Sequence, residues 1–347
     1  MASARHILAR GARWLAVAGM LTLTGPLPTA AQQLVRVAPG VAAQLERFRI
    51  RVEDGRIVAS NDVPGGRTTF AARSLGRDEK LSIDLTGIYP ELEYTVVTRK
   101  SRVNIILAAG AQVRATAHPQ GSKSSVVPLE FVQQPGEPVR LTLGADGEQQ
   151  TWQASTLWHL LLAEPKRCED HLLPVFHVVR PDWNLSQQAN EIQRKLLEFA
   201  GSYTPPNFDQ VARLVAQLAD ENFGRREQAE DGLRESPATL IAYLQTIDQR
   251  TLDAEQRFRL RRIVGAAERA RQEDIPLVVA QRFVADRAAW LALLSRSDES
   301  LRHRAADHLA VLLGRPLDFD PRASVDERSA ALDVLRAELL PRATSSD

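Results

Sequence analysis

Near residue 155 the spacing of apolar residues changes from every second position to every 3.6 positions, which confines the chain to a fold with sheet and helices segregated. From about Glu46 to Ala154 the pattern alternates. Phe48, Ile50 and Val52 point one way while Arg47, Arg49 and Arg51 point the other, and Asp54-Gly55 follows as a tight-hairpin signal. Similar runs recur at Leu81/Ile83/Leu85, Tyr94/Val96, Val103/Ile105/Leu107, Val113/Ala115/Ala117, Phe131 and Val139/Leu141/Leu143. Pro64-Gly65-Gly66, Pro135-Gly136 and Asp146-Gly147 supply turns between them. About eight to ten strands without a helix-length insert predict an antiparallel sandwich or barrel.

After Ala154 the pattern is helical throughout. Ser155 or Thr156 caps a helix toward Glu164, and Pro165 stops it and restarts another. Cys168, Leu172, Val175, Phe176 and Val179 form one apolar stripe. A third helix follows Asn184/Ser186, turns Ala189, Ile192, Leu196 and Phe199 inward, and ends near Gly201. Tyr203-Thr204-Pro205-Pro206 reads as a linker. Phe208, Val211, Leu214 and Leu218 then share a face, Asp220 or Asn222 starts the next helix, and further helices are predicted near 237–246, 253–271, 276–295, 299–313 and 325–340.

Within these helices Arg-x2-Ala-x3-Leu returns three times, at Arg226/Ala229/Leu233, Arg302/Ala305/Leu309 and Arg328/Ala331/Leu335. Offsets of three and seven align a polar anchor, a small residue and a large apolar residue on one face, as stacked helices require. On this motif, and on Leu214-Val-Ala-Gln-Leu218 before it, residues 207 to about 340 resemble HEAT-type helical repeats. With the N-terminal leader described below, the chain is similar to exported bacterial proteins that carry such repeats. The resemblance implies that each arginine orders an inter-helix turn through hydrogen bonds and a carboxylate, with Asp220 or Glu230 serving Arg226. Arg226 and Arg302 are 76 residues apart, about two repeat lengths, and the middle copy expected near Val264 does not keep the motif.

The leader consists of Arg5, Arg10 and Arg13, an apolar run from Trp14 to Leu23, a Gly25-Pro26 break, and Thr29, Ala30 and Ala31. This predicts a secretory signal peptide over residues 1–31, cut after Ala31, rather than a retained anchor, and no later stretch is apolar enough to cross a bilayer. Losing three arginines from 44 basic residues set against 43 acidic ones leaves the mature chain near −2, which argues against general nucleic-acid or anionic-membrane binding. Cys168 is the single cysteine, so stability must come from buried apolar surface rather than an internal disulfide.

The chemistry-bearing residues read mainly as structural. His159, Cys168, His171 and His177 are the nearest approach to a metal cluster, but helical spacing brings only Cys168 and His171 together, and Cys168 falls on the apolar stripe. His303 and Asp307, four apart, predict a surface pair. Asp318-x-Asp320 lacks the glycine and the closing glutamate of a calcium loop. Arg257, Arg259, Arg261, Arg262, Arg269 and Arg271 predict a solvated face laced with ion pairs to Glu255, Glu268, Glu273 and Asp274, or else a dock for an acidic partner. Trp152, Trp158 and Trp183 bracket the change of period and predict packing between the halves, with an exposed platform for glycans or peptides as the alternative. No nucleophile elbow, Ser-x-x-Lys, zinc-helix motif, phosphate loop or dinucleotide fingerprint occurs.

The expected fold is α+β and segregated: an N-terminal antiparallel β sandwich or barrel over 32–154, a helical junction over 155–201, and an all-α HEAT-like helical array over 202–347. The expected function is a non-catalytic interaction or scaffold protein of the periplasm, cell envelope or exterior. It works with another protein, with no nucleic acid, no cofactor, no assigned catalytic or metal residue, and no membrane span after signal removal. Two alternatives stand beside it: an envelope enzyme or metal protein with its site at the junction around His159, His171 and Cys168, and a glycan-binding β domain.

Overall fold

The computed structural model describes residues 37–45, 48–61, 65–74, 76–87, 89–121, 124–203, 208–234, 244, 247, 251–269 and 273–339. The predicted leader and the helix predicted near 237–246, apart from Leu244, lie outside the described residues. The fold is α+β with the two parts segregated: after a short helix α1 (Pro39–Leu45), ten antiparallel strands precede a run of helices. Strands β1 (Phe48–Glu53) and β2 (Arg56–Asn61) form a hairpin. The other eight are β3 (Arg67–Ser74), β4 (Arg77–Asp84), β5 (Glu91–Thr98), β6 (Ser101–Ala108), β7 (Gln112–Pro119), β8 (Leu129–Gln133), β9 (Val139–Leu143) and β10 (Gln150–Ala154). They make one meander in sequential order, with β3 and β10 at its ends.

Alternation explains how the sheet buries one face. Leu81, Tyr94, Ile105, Ala115, Phe131 and Leu141 stand opposite one another across successive strands and are all buried. The hairpin lies over that face, with β2 against β6 and β7, and the Gln133 side chain fixes it by accepting from Ile57 N–H at 2.9 Å and donating to Ile57 C=O at 2.8 Å. Edge strand β3 carries no buried residue, which is why alternation did not reveal it.

The helices begin with α2 (Leu157–Ala163), capped by Thr156 and buried from Leu157 to Leu162. A helix apolar all round belongs in the interior. Next come α3 (Pro165–Arg167), a π turn (Cys168–Leu172), α4 (Leu173–Phe176) and α5 (Leu185–Ala200). The stripe from Cys168 to Val179 is buried, but the helix carrying it is not regular. Pro174 cannot donate to the turn before it, and Leu173 N–H donates five residues back, to Cys168 C=O. Gly201 ends α5 with φ −66°, without the left-handed cap that glycine usually provides.

Helices α6 (Phe208–Gln217), α7 (Phe223–Arg234) and α8 (Ala254–Arg269) follow, then α9 (Pro276–Phe283), α10 (Arg287–Leu294), α11 (Glu299–Leu313) and α12 (Val325–Leu339). The single helix predicted over 276–295 is two, because Asp286 caps a new start by accepting from Ala288 N–H at 2.8 Å. Among the described residues no strand follows Ala154, and no helix is long and apolar enough to cross a membrane.

The apolar interior does not divide where the period changes. One continuous core runs from the sheet through α2 to α5 and on into α9 to α12. A second, smaller core belongs to Val211, Val215 and Leu218 of the α6 segment, Ala229 and Leu233 of α7, Leu244, and Leu260 and Ile263 of α8. Helix α9 packs on α5 as though α6 to α8 were an excursion between them.

Candidate functional site

A buried polar cluster joins the sheet to the helices. At the tip of the β1–β2 hairpin, Asp54 (φ 48°) and Gly55 (φ 71°) both adopt the left-handed conformation that Asp-Gly favours. Their amides then point at the Asp274 carboxylate, Asp54 N–H at 3.2 Å and Gly55 N–H at 2.6 Å. The same carboxylate accepts from Trp158 Nε1 of α2 at 2.7 Å and from Arg282 Nη2 of α9 at 2.8 Å. Arg282 also reaches Asp54 Oδ1 at 2.5 Å, and Asp274 N–H donates to Val52 C=O at 2.8 Å. One buried carboxylate thus binds four donors from three elements, satisfying nearly all its lone-pair sites. Around it, Leu157 N–H donates to Gly55 C=O at 2.9 Å, and Arg180 donates to Ile50 C=O along the hairpin edge.

A second buried chain lies beside this joint. His159, 4% exposed, has Nδ1 2.8 Å from the Thr156 hydroxyl and Nε2 2.9 Å from Asp286 Oδ2, and its ring packs on Phe283 with centroids 4.3 Å apart. In the neutral tautomer that donates from Nε2, Nδ1 accepts the threonine proton, so hydroxyl, imidazole and carboxylate stand in the order a hydrolytic triad uses. Burial alone raises the Asp286 carboxyl, but its interaction with His159 and the Ala288 and Ala289 amides outweigh burial and hold the group below the ordinary aspartate range. The hydroxyl is nevertheless engaged. Thr156 is the α2 cap, and its Cβ and Oγ1 both lie 2.5 Å from where a Cβ on Gly55 would stand, so the hairpin tip covers it. A nucleophile needs a substrate within reach of its oxygen, and this one faces backbone.

The other residues of the suspected metal cluster go separate ways. Cys168 Sγ sits 4.0 Å from Leu160 C=O in the core, and burial, with Glu164 adding to it, pushes the thiol up to about 12. His177 bonds Trp183 C=O at 3.0 Å, and His171 is half-buried on the π turn. Among the described residues no three His, Cys, Asp or Glu side chains converge to hold a metal ion. Trp158 and Trp183 are buried, the latter edge-on to Phe176 at 5.8 Å, while Trp152 is half-buried beneath Arg167 at 4.7 Å.

The three repeat arginines do the same thing at three turns. Arg226 Nη1 donates to Asp220 C=O at 2.6 Å and Glu221 C=O at 3.0 Å; Arg302 Nη1 donates to Arg296 C=O at 2.9 Å and Ser297 C=O at 2.7 Å; Arg328 Nη1 donates to Ala323 C=O. Each reaches carbonyls five or six residues before it, in the turn ahead of its own helix and so outside that helix's hydrogen-bond ladder. The carboxylate near Arg226 is Glu255, at 3.8 Å, rather than Asp220 or Glu230.

Glu230 instead anchors the Arg-rich helix. It is 2% exposed and receives Arg234 at 2.5 Å, Arg259 at 2.7 Å and Arg262. Burial pulls its carboxyl up, yet Arg262, Arg234 and Arg259 outweigh burial and hold it below the ordinary glutamate range. Glu273 and Asp274, expected to neutralise this helix, pair with Arg180 and Arg282 instead. On the outer side Arg257 and Arg261 are exposed, and their Nε atoms donate to carbonyls of their own helix, Asp253 at 3.2 Å and Arg257 at 3.1 Å. Two phenylalanines stand in the open here, Phe223 at 57% and Phe258 at 56%. Arg226 and Arg259 lie over the Phe223 ring at 5.5 and 5.9 Å, and Arg262 over Phe258 at 6.0 Å.

Elsewhere, His303 turns from Asp307 and bonds Glu299 C=O at 3.0 Å, and Asp320 closes a turn by accepting from Arg322 N–H at 2.8 Å. Sequence reasoning missed Arg282 and Asp286 and gave Asp274 a different role; Asp274 and Arg282 are eight residues apart, but the Asp54, Trp158 and His159 groups they and Asp286 bind lie more than a hundred residues away. The only local signal was the Asp54-Gly55 turn, whose left-handed geometry leaves two amides in need of an acceptor. Comparison of the chain with protein families, with curated proteins and with solved structures found no match.

Proposed function

We propose that the protein is an exported, non-catalytic scaffold of the cell envelope that holds another protein, its helices over 202–347 stacked as a HEAT-like array and its hairpin and sheet layered as a sandwich. The observation that carries this reading is the Asp274 joint. Four donors on one buried carboxylate lock hairpin, α2 and α9 together, so the groups most capable of chemistry serve to fix the relation of sheet and helices. A rigid body of this kind presents surfaces rather than a working cleft. The repeated arginine staples and the burial of Ala229, Ala305, Leu233, Leu309 and Leu335 support the stacked-array part. The basic, apolar and small-residue order of residues 1–31 supports export.

The test is crosslinking of the tagged full chain in intact cells, followed by fractionation and mass spectrometry. The expected result is a reproducible protein partner in the envelope fraction, and a metal-free purified chain. Stoichiometric zinc lost on His171→Ala, or repeated failure to crosslink any protein, overturns the reading.

A further inference from the structure

We infer that the outer face of α8, with the exposed Phe223 ring of α7 beside it, is a binding surface for an acidic peptide segment of a protein partner. This rests on the scaffold reading and names the chemistry of what the scaffold holds. Three observations combine.

Cationic charge on this face is left over. Glu230 is the carboxylate that Arg234, Arg259 and Arg262 share, and Glu255 is bonded to Arg259 at 2.6 Å. Arg257 and Arg261, one helical turn apart, have no carboxylate within 4.0 Å among the described residues. Their guanidiniums are also held in place. Each Nε is tied to a carbonyl of α8, which leaves the two outer nitrogens as a fork facing water. That fork matches a carboxylate in two parallel hydrogen bonds, and part of its ordering cost is already met by the helix.

The aromatic rings are presented as well. Every other phenylalanine whose side chain is described is buried or half-buried, whereas Phe223 and Phe258 are more than half exposed and braced by arginines. Open phenylalanine beside fixed arginine offers an apolar footing that a peptide side chain can cover while its carboxylates take the forks. The acidic residues Asp220 and Glu221 just before α7, and Glu227 and Asp231 along it, argue against a nucleic acid, because a phosphate backbone crossing from α8 to α7 meets like charge. A peptide with acidic groups on one side only avoids that repulsion.

The test is fluorescence anisotropy on the purified full chain at low and moderate salt. The probe is a labelled twelve-residue peptide of repeating Glu-Glu-Leu; a Lys-Lys-Leu peptide and a single-stranded DNA twelve-mer are the comparisons. The expected outcome is binding of the acidic peptide only, weakened about tenfold or more by R257E combined with R261E, and severalfold by Phe258→Ala. Because all three side chains are exposed, unchanged thermal melting of the variants separates lost binding from lost folding. Equal binding by the charge-reversed variant, preference for DNA, or no binding of the acidic peptide overturns the inference. In cells the two proposals part: a crosslinked partner that survives R257E/R261E sinks the acidic-peptide surface and leaves the scaffold standing, whereas loss of every crosslink already in the unaltered chain sinks the scaffold.

Discussion

The two cores of this protein handle aromatic and charged groups in opposite ways. The large core hides its rings: Trp158, Trp290, Tyr94, Phe131 and Phe176 are among its most buried side chains, and its joint is one carboxylate surrounded mainly by neutral donors. The small core of α6 to α8 is aliphatic, holds its helices with Glu230 against three arginines, and carries Phe223 and Phe258 outside. A buried aromatic contributes more to holding a fold than to recognising anything, while an exposed one costs the fold little to change and is open to a partner. The contrast separates a part whose rings hold the fold from a part with two rings that stand open.

The sharpest way to break this comparison is Asp274→Ala. It leaves the Gly55 amide and the Trp158 indole without their acceptor and Arg282 with Asp54 alone, and should cost about 3–5 kcal/mol in urea unfolding. Trp152, Trp158, Trp183 and Trp290 lie in or against the large core, and none of the five tryptophans lies between residues 208 and 269, so tryptophan fluorescence does not report on the small core. Hydrogen exchange in α6 to α8 should change less than in α2. Equal loss in both regions would show that the cores are one cooperative unit.

A smaller effect is expected from Gly55→Ala. At φ 71° and with its new Cβ 2.5 Å from Thr156, alanine should cost roughly 1–3 kcal/mol by the same fluorescence measurement. A neutral result would mean that the hairpin tip does not press on α2, and would reopen the Thr156 hydroxyl to chemistry.

Acid should separate the cores in order. His308 is buried between Trp290 and Tyr203 and donates to Val284 C=O at 2.8 Å, and burial, against that hydrogen bond, holds its pKa below 6.5. Its contribution to stability is intact above pH 6.5. As pH falls through and below that value the unfolded chain gains a proton that the folded one resists, so the melting temperature of the large core should drop. Glu230 is depressed below 4.5, so the small core keeps its cluster until pH falls below that point. His308→Leu should flatten the first step; a melting curve with the same slope in both chains contradicts the assignment.

The smallest expected effect is that of Phe258→Ala on stability, within about 0.5 kcal/mol by urea unfolding. A larger loss would show that the ring belongs to the fold rather than to its surface, and would erase the difference between the two cores.

Much of the architecture was legible because it depends on local periodicity. Phe48/Ile50/Val52 and Val103/Ile105/Leu107 lie in the core as alternation requires, and the bounds of α11 match the helix expected near 299–313. Strand β3 and the break at Asp286 were not legible, the first because an edge strand buries nothing, the second because a capping aspartate in a helical stretch looks like any exposed acid. Of the joint only Asp54-Gly55 could be read. His159 was noticed for a different reason, as part of a metal cluster whose other members the fold sends elsewhere.

By itself the sequence determined the change from strands to helices, the faces that turn inward, the hairpin turn and the three arginine staples, because each is settled by residues within about seven positions of one another. Tertiary structure alone decided that Asp274 meets a turn 220 residues away, that α9 returns to α5, and that the interior divides around α6 to α8. Those outcomes follow from how whole elements pack, and packing couples residues by distance in space, which the order of the chain does not encode locally.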